Sequence, residues 1–452
     1  MQDQITEALK NHGADYVEIR LEEGQGTHIR YRGKDLEEIG RTSSLGGNVR
    51  AIAGGGWGFV CFNNLDDLKG KVAQAVRHAR LVGGEAVRLS PVEPRVDIVR
   101  PNIHRDPRAV PLKEKKRVLD EYVDIIWSTP GIQSSVVGYG DGYRKVAFAN
   151  SEGTYIEQEK IETTLRIAPM ARDGTDVQQA GISLGGSGDY SWVETLHDEV
   201  QILANRAVEL LKAPQVKGGE YPVILDPVLA GVFVHEAFGH LSEADHVYES
   251  DHLKEIMVLG RRFGGPHLNI VDGGAIPDLR GSYKYDDEGT PSTRTDLIRE
   301  GMLVGRLHSR ETAFKMKEAP SGNARAISFL FPPIVRMTNT IIEPGEATFE
   351  EMVADVKEGV YARNWYGGMT SMEMFTFSAR EAYMIRNGKV AELLRPVMLS
   401  GNLFTSLKNL DAIASDIEMN QGGGCGKGGQ SPLPVSNGSP HIRIRNCLVG
   451  GT

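Results

Sequence analysis

A chain of 452 residues is longer than one hydrophobic core usually supports, so two domains are expected. With 40% apolar and 25% charged residues, it is not a disordered or low-complexity protein. A net charge of −9, with no long run of Lys or Arg, excludes a surface built to track phosphates, so nucleic acid is not an expected partner.

The first residues, MQDQITEALKNHGADY, lack a basic patch leading into an apolar core. No apolar segment approaches the ~20 residues that cross a bilayer. Cys61, Cys425 and Cys447 are an odd set at irregular distances, which is no disulfide framework and fits a reducing compartment. A cytoplasmic protein with no membrane segment is the expectation.

ADYVEIRLEEG and THIRYRGKDLEEI alternate apolar and polar residues, which predicts two strands joined by a turn at Gly24-Gln25-Gly26. NVRAIAGGGWGFVCF adds a strand, and Leu65, Leu68, Val72, Ala75, Val76 and Ala79 then recur at helical spacing. LKEKKRVLDEYVDIIW predicts a second helix, residues 132–190 an antiparallel meander, and VETLHDEVQILANRAVELLKAP a long closing helix. The stretches 54–82 and 185–213 both run from glycines through aromatic residues into a Leu/Val/Ala helix, a faint internal echo. APQVKGGE, residues 213–220, is the candidate linker because Pro and Gly punctuate it and the pattern changes after it. Beyond it, YPVILDP predicts a buried strand and VLAGVFVHEAFGHL an apolar segment. The remainder reads as strand-rich, with helices in TFEEMVADVKEGVYA and NLFTSLKNLDAI. Strands and helices do not alternate regularly, so the fold class is α+β, with boundaries predicted at 1–215 and 216–452.

The chemistry centres on His235-Glu236-Ala237-Phe238-Gly239-His240. Two imidazoles can hold zinc, and a carboxylate between them can take a proton from water that the ion activates. In the common H-E-x-x-H pattern the histidines are about 40° apart around a helix, whereas an i, i+5 spacing leaves them about 140° apart. Both reach one ion only if the helix widens or ends between them, and Gly239 is the residue expected to allow it. A charged Glu236 inside so apolar a segment needs a cation, a hydrogen-bonded network or an open cleft. Glu243, His246 and Cys425 are the candidates for a third ligand, with Glu243 alternatively orienting an imidazole and His246 alternatively a surface residue. Cys425 lies in the glycine-rich NQGGGCGKGGQSP, where Lys427 is expected to favour thiolate. That loop lacks the first glycine and the Ser/Thr of a phosphate-binding loop, and Gly54-Gly55-Gly56 lacks the pattern of a dinucleotide site. Asp286-Asp287-Glu288 precedes Gly-Thr-Pro and reads as a turn.

In order, HEAFGH, DDEGTP, RMTNT with a following glycine, FSAREAYMIRNGKV, CGKGGQ and the terminal VGGT resemble the TldD/PmbA family of metalloproteases, in its TldD-like branch with the HExxxH motif. GGNVRAIAGGGWGF resembles it more loosely, and SEADHVYESDHLKE departs from it. The resemblance implies that His235, His240 and Cys425 bind Zn2+, that Glu236 is the catalytic base, and that His246 has no part. It also implies an α+β N-terminal domain with an antiparallel sheet and long helices, and a strand-rich C-terminal metallopeptidase domain. The substrates would be short peptides or unfolded proteins, and the assembly a homodimer or a heterodimer with a TldE/PmbA-like paralogue around an enclosed cleft. MEMFTFSAREAYMI is a candidate edge for pairing with a peptide, against its reading as a core strand. The rivals are a binding or modulatory protein with structural or absent zinc, and a peptidase with Cys425 as nucleophile.

Overall fold

The computed structural model describes residues 2–82, 86–371 and 373–451. After a short helix α1 (Gln2–Ala8), the strands β1 (Tyr16–Arg32) and β2 (Asp35–Ala53) form one long hairpin. Its turn falls at Gly33-Lys34, where Gly33 has φ 62°, and not at Gly24-Gln25-Gly26 as the glycine pattern predicts. Those glycines lie inside β1 because its neighbours crowd them: a Cβ on Gly24 would sit 2.6 Å from Ser44 Oγ.

The strand β3 (Gly56–Phe62) and helix α2 (Leu68–Leu81) follow, then the short β4 (Val96–Val99). A second run comprises α3 (Leu112–Ser128), β5 (Ile132–Asn150), β6 (Tyr155–Asp173), β7 (Asp176–Gln179), β8 (Ile182–Ser187) and α4 (His197–Lys212). All eight strands join one sheet in the order β3-β2-β1-β5-β6-β4, with β7 and β8 also on β6. The runs α1-β1-β2-β3-α2 and α3-β5-β6-β7-β8-α4 each set antiparallel strands, three in the first and four in the second, between an opening and a closing helix, and they meet along antiparallel β1 and β5, so the echo in the sequence has a counterpart in each unit's last strand and closing helix. Helices cover one face only: Val72, Ala75 and Ala79 pack with Val17 and Ile19, and Leu119, Tyr122 and Leu203 pack with Val137 and Leu165.

The other face of this sheet is charged and meets the C-terminal region. Arg50 bridges Glu18 (2.6 Å) and Glu288 (2.9 Å), and Arg20 bridges Glu22 (2.8 Å) and Asp287 (3.5 Å). Asp286 closes the expected turn by accepting the amides of Glu288 and Thr290. The acidic cluster is therefore a turn that also ties the two regions together.

Past the linker, β9 (Gly219–Leu225) runs inside a seven-stranded sheet between strands Glu358–Ser371 and Ile442–Gly451. A six-stranded sheet contains Ile270–Gly273, Asn339–Ile342 and Ser436–Ser439. Helix α5 (Pro227–Val234) lies between the two sheets, touching strands of both, which is why it is apolar on every side. The predicted helices in 348–362 and 402–413 are shorter than expected: Phe349–Ala354 and Leu403–Asn409, each followed by a strand that pairs within the seven-stranded sheet. Strand Met374–Arg386 is flanked on both sides, by Glu358–Ser371 and by Lys389–Leu394 with Val397–Asn402. It is a core strand without a free edge, and the Met372 that opens the predicted segment lies outside the described residues. The fold is α+β. Among the described residues no helix is long and apolar enough to cross a membrane.

Candidate metal centre

Asp226 starts α5 by accepting the Leu229 amide at 2.8 Å, and Pro227 sits in the first turn, where its missing N–H costs nothing. The helix changes form at His235. The amide of His240 bonds the carbonyl of His235, which closes one π turn over His235–Gly239, and a single 3-10 turn covers His240–Ser242. At about 4.4 residues per turn, a five-residue step returns within roughly 50° of its starting direction instead of 140°. The widening that the i, i+5 spacing requires is thus made by a bond between the two histidine residues themselves. Their rings lie 5.3 Å apart, edge to face.

Gly239 serves this turn differently from the expectation. Its φ of −57° and ψ of −54° suit any residue, so backbone freedom is not what it supplies. A Cβ there would lie 1.9 Å from the sulfur of Met337, a fully buried side chain. Glycine is needed for close approach.

Cys425 arrives on a hairpin of Gly424–Lys427 and Gln430–Pro434, not on a free loop. The buried Arg336 donates to the carbonyls of Cys425 (2.7 Å) and Gln430 (3.2 Å) and so holds both strands. In consequence one donor atom from each of His235, His240 and Cys425 lies within 4.8 Å of the others, with Cys425 Sγ 3.4 Å from His240 Nε2. Burial alone would raise the Cys425 thiol, but His235 and His240 outweigh it and bring it down to about 4. Burial likewise opposes charge on the imidazoles, and the Cys425 thiolate reverses this for both.

Glu243 is fully buried and accepts from His240 Nδ1 at 3.0 Å, on the ring edge away from Cys425. Burial would raise its carboxyl, yet the His240 hydrogen bond and the charges of His240 and Lys427 bring it down to about 2. It orients an imidazole and stands outside the donor cluster. His246 also stays outside, half-exposed, with Nδ1 3.8 Å from Glu243. Lys427 does not reach the sulfur side: its ammonium is taken by Asp245 (2.7 Å), Glu243 (3.1 Å) and the Val335 carbonyl (2.9 Å). The two histidines, not Lys427, favour the thiolate. Glu236 is half-buried and close enough to His235 to act on its charge.

Zinc fits this donor set. Bonds of about 2.0 Å to nitrogen and 2.3 Å to sulfur in tetrahedral geometry place the two donors about 3.5 Å apart, close to the 3.4 Å between Cys425 Sγ and His240 Nε2. The buried Nδ1 of His235 has no hydrogen-bond partner among the described residues, an arrangement that costs about 1–3 kcal/mol unless something else meets it. Three donors leave a tetrahedral ion one position, the arrangement of a catalytic rather than a closed structural site. Sequence reasoning does not single out Met337, Arg336 and Asp245, although RMTNT contains the first two.

Three family models match the chain: PmbA/TldA metallopeptidase domain 1 over residues 17–79, the central domain over 105–213, and the C-terminal domain over 218–451. Metalloprotease slr0863 of Synechocystis is 48% identical over 97% of this chain and 95% of its own length. The zinc metalloprotease TldD homolog of Saccharolobus solfataricus is 30% identical over 97% of each. Among solved structures, a putative modulator of a DNA gyrase from Thermotoga maritima superposes with TM-score 0.81 at 20% identity over 99% of each chain. TldE from Thermococcus kodakarensis superposes at 0.79 with 17% identity over 100% of each.

Proposed function

Because the chain belongs to the PmbA/TldD metallopeptidase family, we propose that it is a cytoplasmic zinc metallopeptidase that hydrolyses peptide bonds in short peptides or unfolded proteins. His235, His240 and Cys425 hold the ion, and residues 216–452 form the catalytic domain behind an N-terminal domain of residues 1–215. The observation that carries this reading is the π turn, which puts His235 and His240 beside Cys425 despite their i, i+5 spacing. When bound, zinc supplies Lewis acidity toward a carbonyl oxygen and toward water.

The protein's own groups do the rest. Glu236, one residue past a ligand and only half-buried, takes the proton from the attacking water and passes it to the leaving amine. Glu243 fixes His240 through Nδ1 and leaves Nε2 for the ion. Arg336 keeps Cys425 in register. The assembly, on the family resemblance of the sequence, is a pair of similar subunits, either two copies of this chain or this chain with a TldE-like paralogue.

One observation favours a second reading. A thiol at about 4 beside two histidines is also how a cysteine nucleophile is prepared. Against it, the thiol is buried and both imidazoles point at it, which suits a ligand better than an attacking group. The deciding experiment is peptide cleavage by the purified chain, with its mass measured. Loss of activity with a chelator and recovery with zinc supports the metallopeptidase; activity that survives metal removal but not alkylation supports the cysteine mechanism.

A further inference from the structure

A cavity of about 1060 Å³ lies between the C-terminal region and the helix-free face of the N-terminal sheet, and none of the three metal donors lines it. Its floor is the β5–β6 ladder, with Gly142 opposite Glu162 and Arg144 opposite Lys160. Like charges in direct cross-strand register repel. Two more cations, Arg280 and Arg325, line the same space.

The carboxylates nearby do not balance them. Lys160 (2.8 Å) and Arg280 (3.3 Å) share Glu162, and Arg144 shares Glu22 with Arg20. Arg325 is buried, and among the described residues it bonds the carbonyls of Met337 and Pro434, both at 2.6 Å, and no carboxylate. Of the other acids on the wall, Asp141 is committed to Lys115, Glu159 to Arg100, and Asp287 to Arg20 and the Ala326 amide. Asp286 accepts the backbone amides of Glu288, Thr290 and Ala324, and the exposed Asp278 accepts from Asn102. The buried Nε atoms of Arg144 and Arg280 lack partners among the described residues. Burial, with Arg325 and Arg280 adding repulsion against the help of Glu162, holds the Lys160 ammonium below its usual range. Among the described residues, Lys160, Arg280 and Arg325 thus have one ion-paired carboxylate, Glu162, for three cations.

It also backs onto the hairpin that carries Cys425. Leu433 and Pro434 line it, and Leu433 stands directly opposite Cys425, a Cα separation of about 5 Å in an antiparallel pair. Arg325 holds Pro434, and Arg280 holds the carbonyls of Gln421 (2.6 Å) and Gly423 (2.9 Å) just before Cys425. The volume exceeds what a single small anion needs, and Val146, Ile276 and Leu433 give it apolar wall as well.

We propose that this cavity receives the C-terminal end of a short peptide, with Lys160, Arg280 and Arg325 facing its terminal carboxylate, so that the site selects peptides with a free C-terminus. The ligand class rests on the peptidase reading; the anion preference rests on the cavity.

The test is binding to zinc-loaded full-length Glu236→Gln protein, which needs no cleavage. Two fluorescent N-acetylated pentapeptides of one sequence are compared, one ending in a carboxylate and one in an amide. The carboxylate form should bind at least about tenfold tighter, the effect of one hydrogen bond to a charged group. Gly142→Val places a side chain where a Cβ meets nothing within 4 Å, on an extended strand, and so fills the cavity without a clash. Lys160→Gln removes one charge by an independent route. Each should bring the preference close to unity. Equal binding of both peptides, or an undiminished preference in both variants, overturns the proposal. Should the wild-type chain cleave no peptide while the preference holds, the peptidase reading fails and the anion site stands; cleavage without the preference removes the anion site and leaves the peptidase reading intact.

Discussion

Gly239 offers the sharpest test of how the π turn is built. In Gly239→Ala the new Cβ would begin 1.9 Å from Met337 Sδ, 3.2 Å from its Cε and 3.3 Å from its Cγ. Ordinary carbon contacts lie near ~3.5–4.0 Å, so the sulfur must retreat by about 2 Å inside a fully buried neighbourhood. Overpacking of this kind costs about 1–3 kcal/mol, and the better helix propensity of alanine returns about 1 kcal/mol, leaving a net loss of about 0–2 kcal/mol. In a Met337→Ala background the obstruction is gone. Met337→Ala alone should cost about 2–5 kcal/mol, but adding Gly239→Ala to it should then be neutral or stabilising. The four proteins of this cycle, stripped of metal and unfolded in urea, give the coupling directly. Zinc affinity by chelator competition should fall in Gly239→Ala alone and recover relative to its own background in the double variant. If Gly239→Ala costs the same in both backgrounds, backbone freedom and not contact with Met337 is what the turn requires.

The remaining predictions concern the donors, the base and the start of α5. His235→Ala, His240→Ala and Cys425→Ala should each lose most bound zinc by elemental analysis while His246→Ala keeps it; the reverse for His246 and Cys425 would remove the donor assignment. Glu236→Gln should keep fold and zinc yet lose at least ~10²-fold in kcat, and near-normal cleavage by the loaded protein would sink the proton-transfer role. Burial holds the Asp226 carboxyl up at about 6, above its ordinary 3.8. A raised folded value adds stability that is complete below pH ~4 and is lost as pH rises through about 6, a swing of at most about 3 kcal/mol. Asp226→Asn, which can still accept the Leu229 amide, should flatten that slope in denaturation curves between pH 4 and 7; an identical slope in both proteins would count against it.

What can be read from the chain depends on how far away the deciding partner lies. The meander over 132–190 and the helices at 112–128 and 197–212 follow from alternation and helical spacing, both local signals. The i, i+5 spacing of His235 and His240 is equally local, and the wider turn it demands is present. Gly24 and Gly26 mislead because a glycine needed for close packing inside a strand looks the same as one needed for a turn, and Ser44, which separates the cases, is on the other arm of the hairpin. Gly239 repeats this on a larger scale: its requirement is written in Met337, nearly a hundred residues along the chain (337 − 239 = 98). Arg336 stands in the RMTNT stretch, but its role leaves no sign there because it recognises the carbonyl oxygens of Cys425 and Gln430, and a carbonyl leaves no trace in residue identity. Lys427 invites pairing with its sequence neighbour Cys425, yet its charge is claimed by Asp245 and Glu243 from the metal helix region. The three donors are legible as residue types, but what brings them together is a set of contacts to backbone and sulfur atoms that only the folded chain specifies. A variant of Met337 or Arg336 is therefore expected to damage the metal centre while every residue named by the motif stays intact.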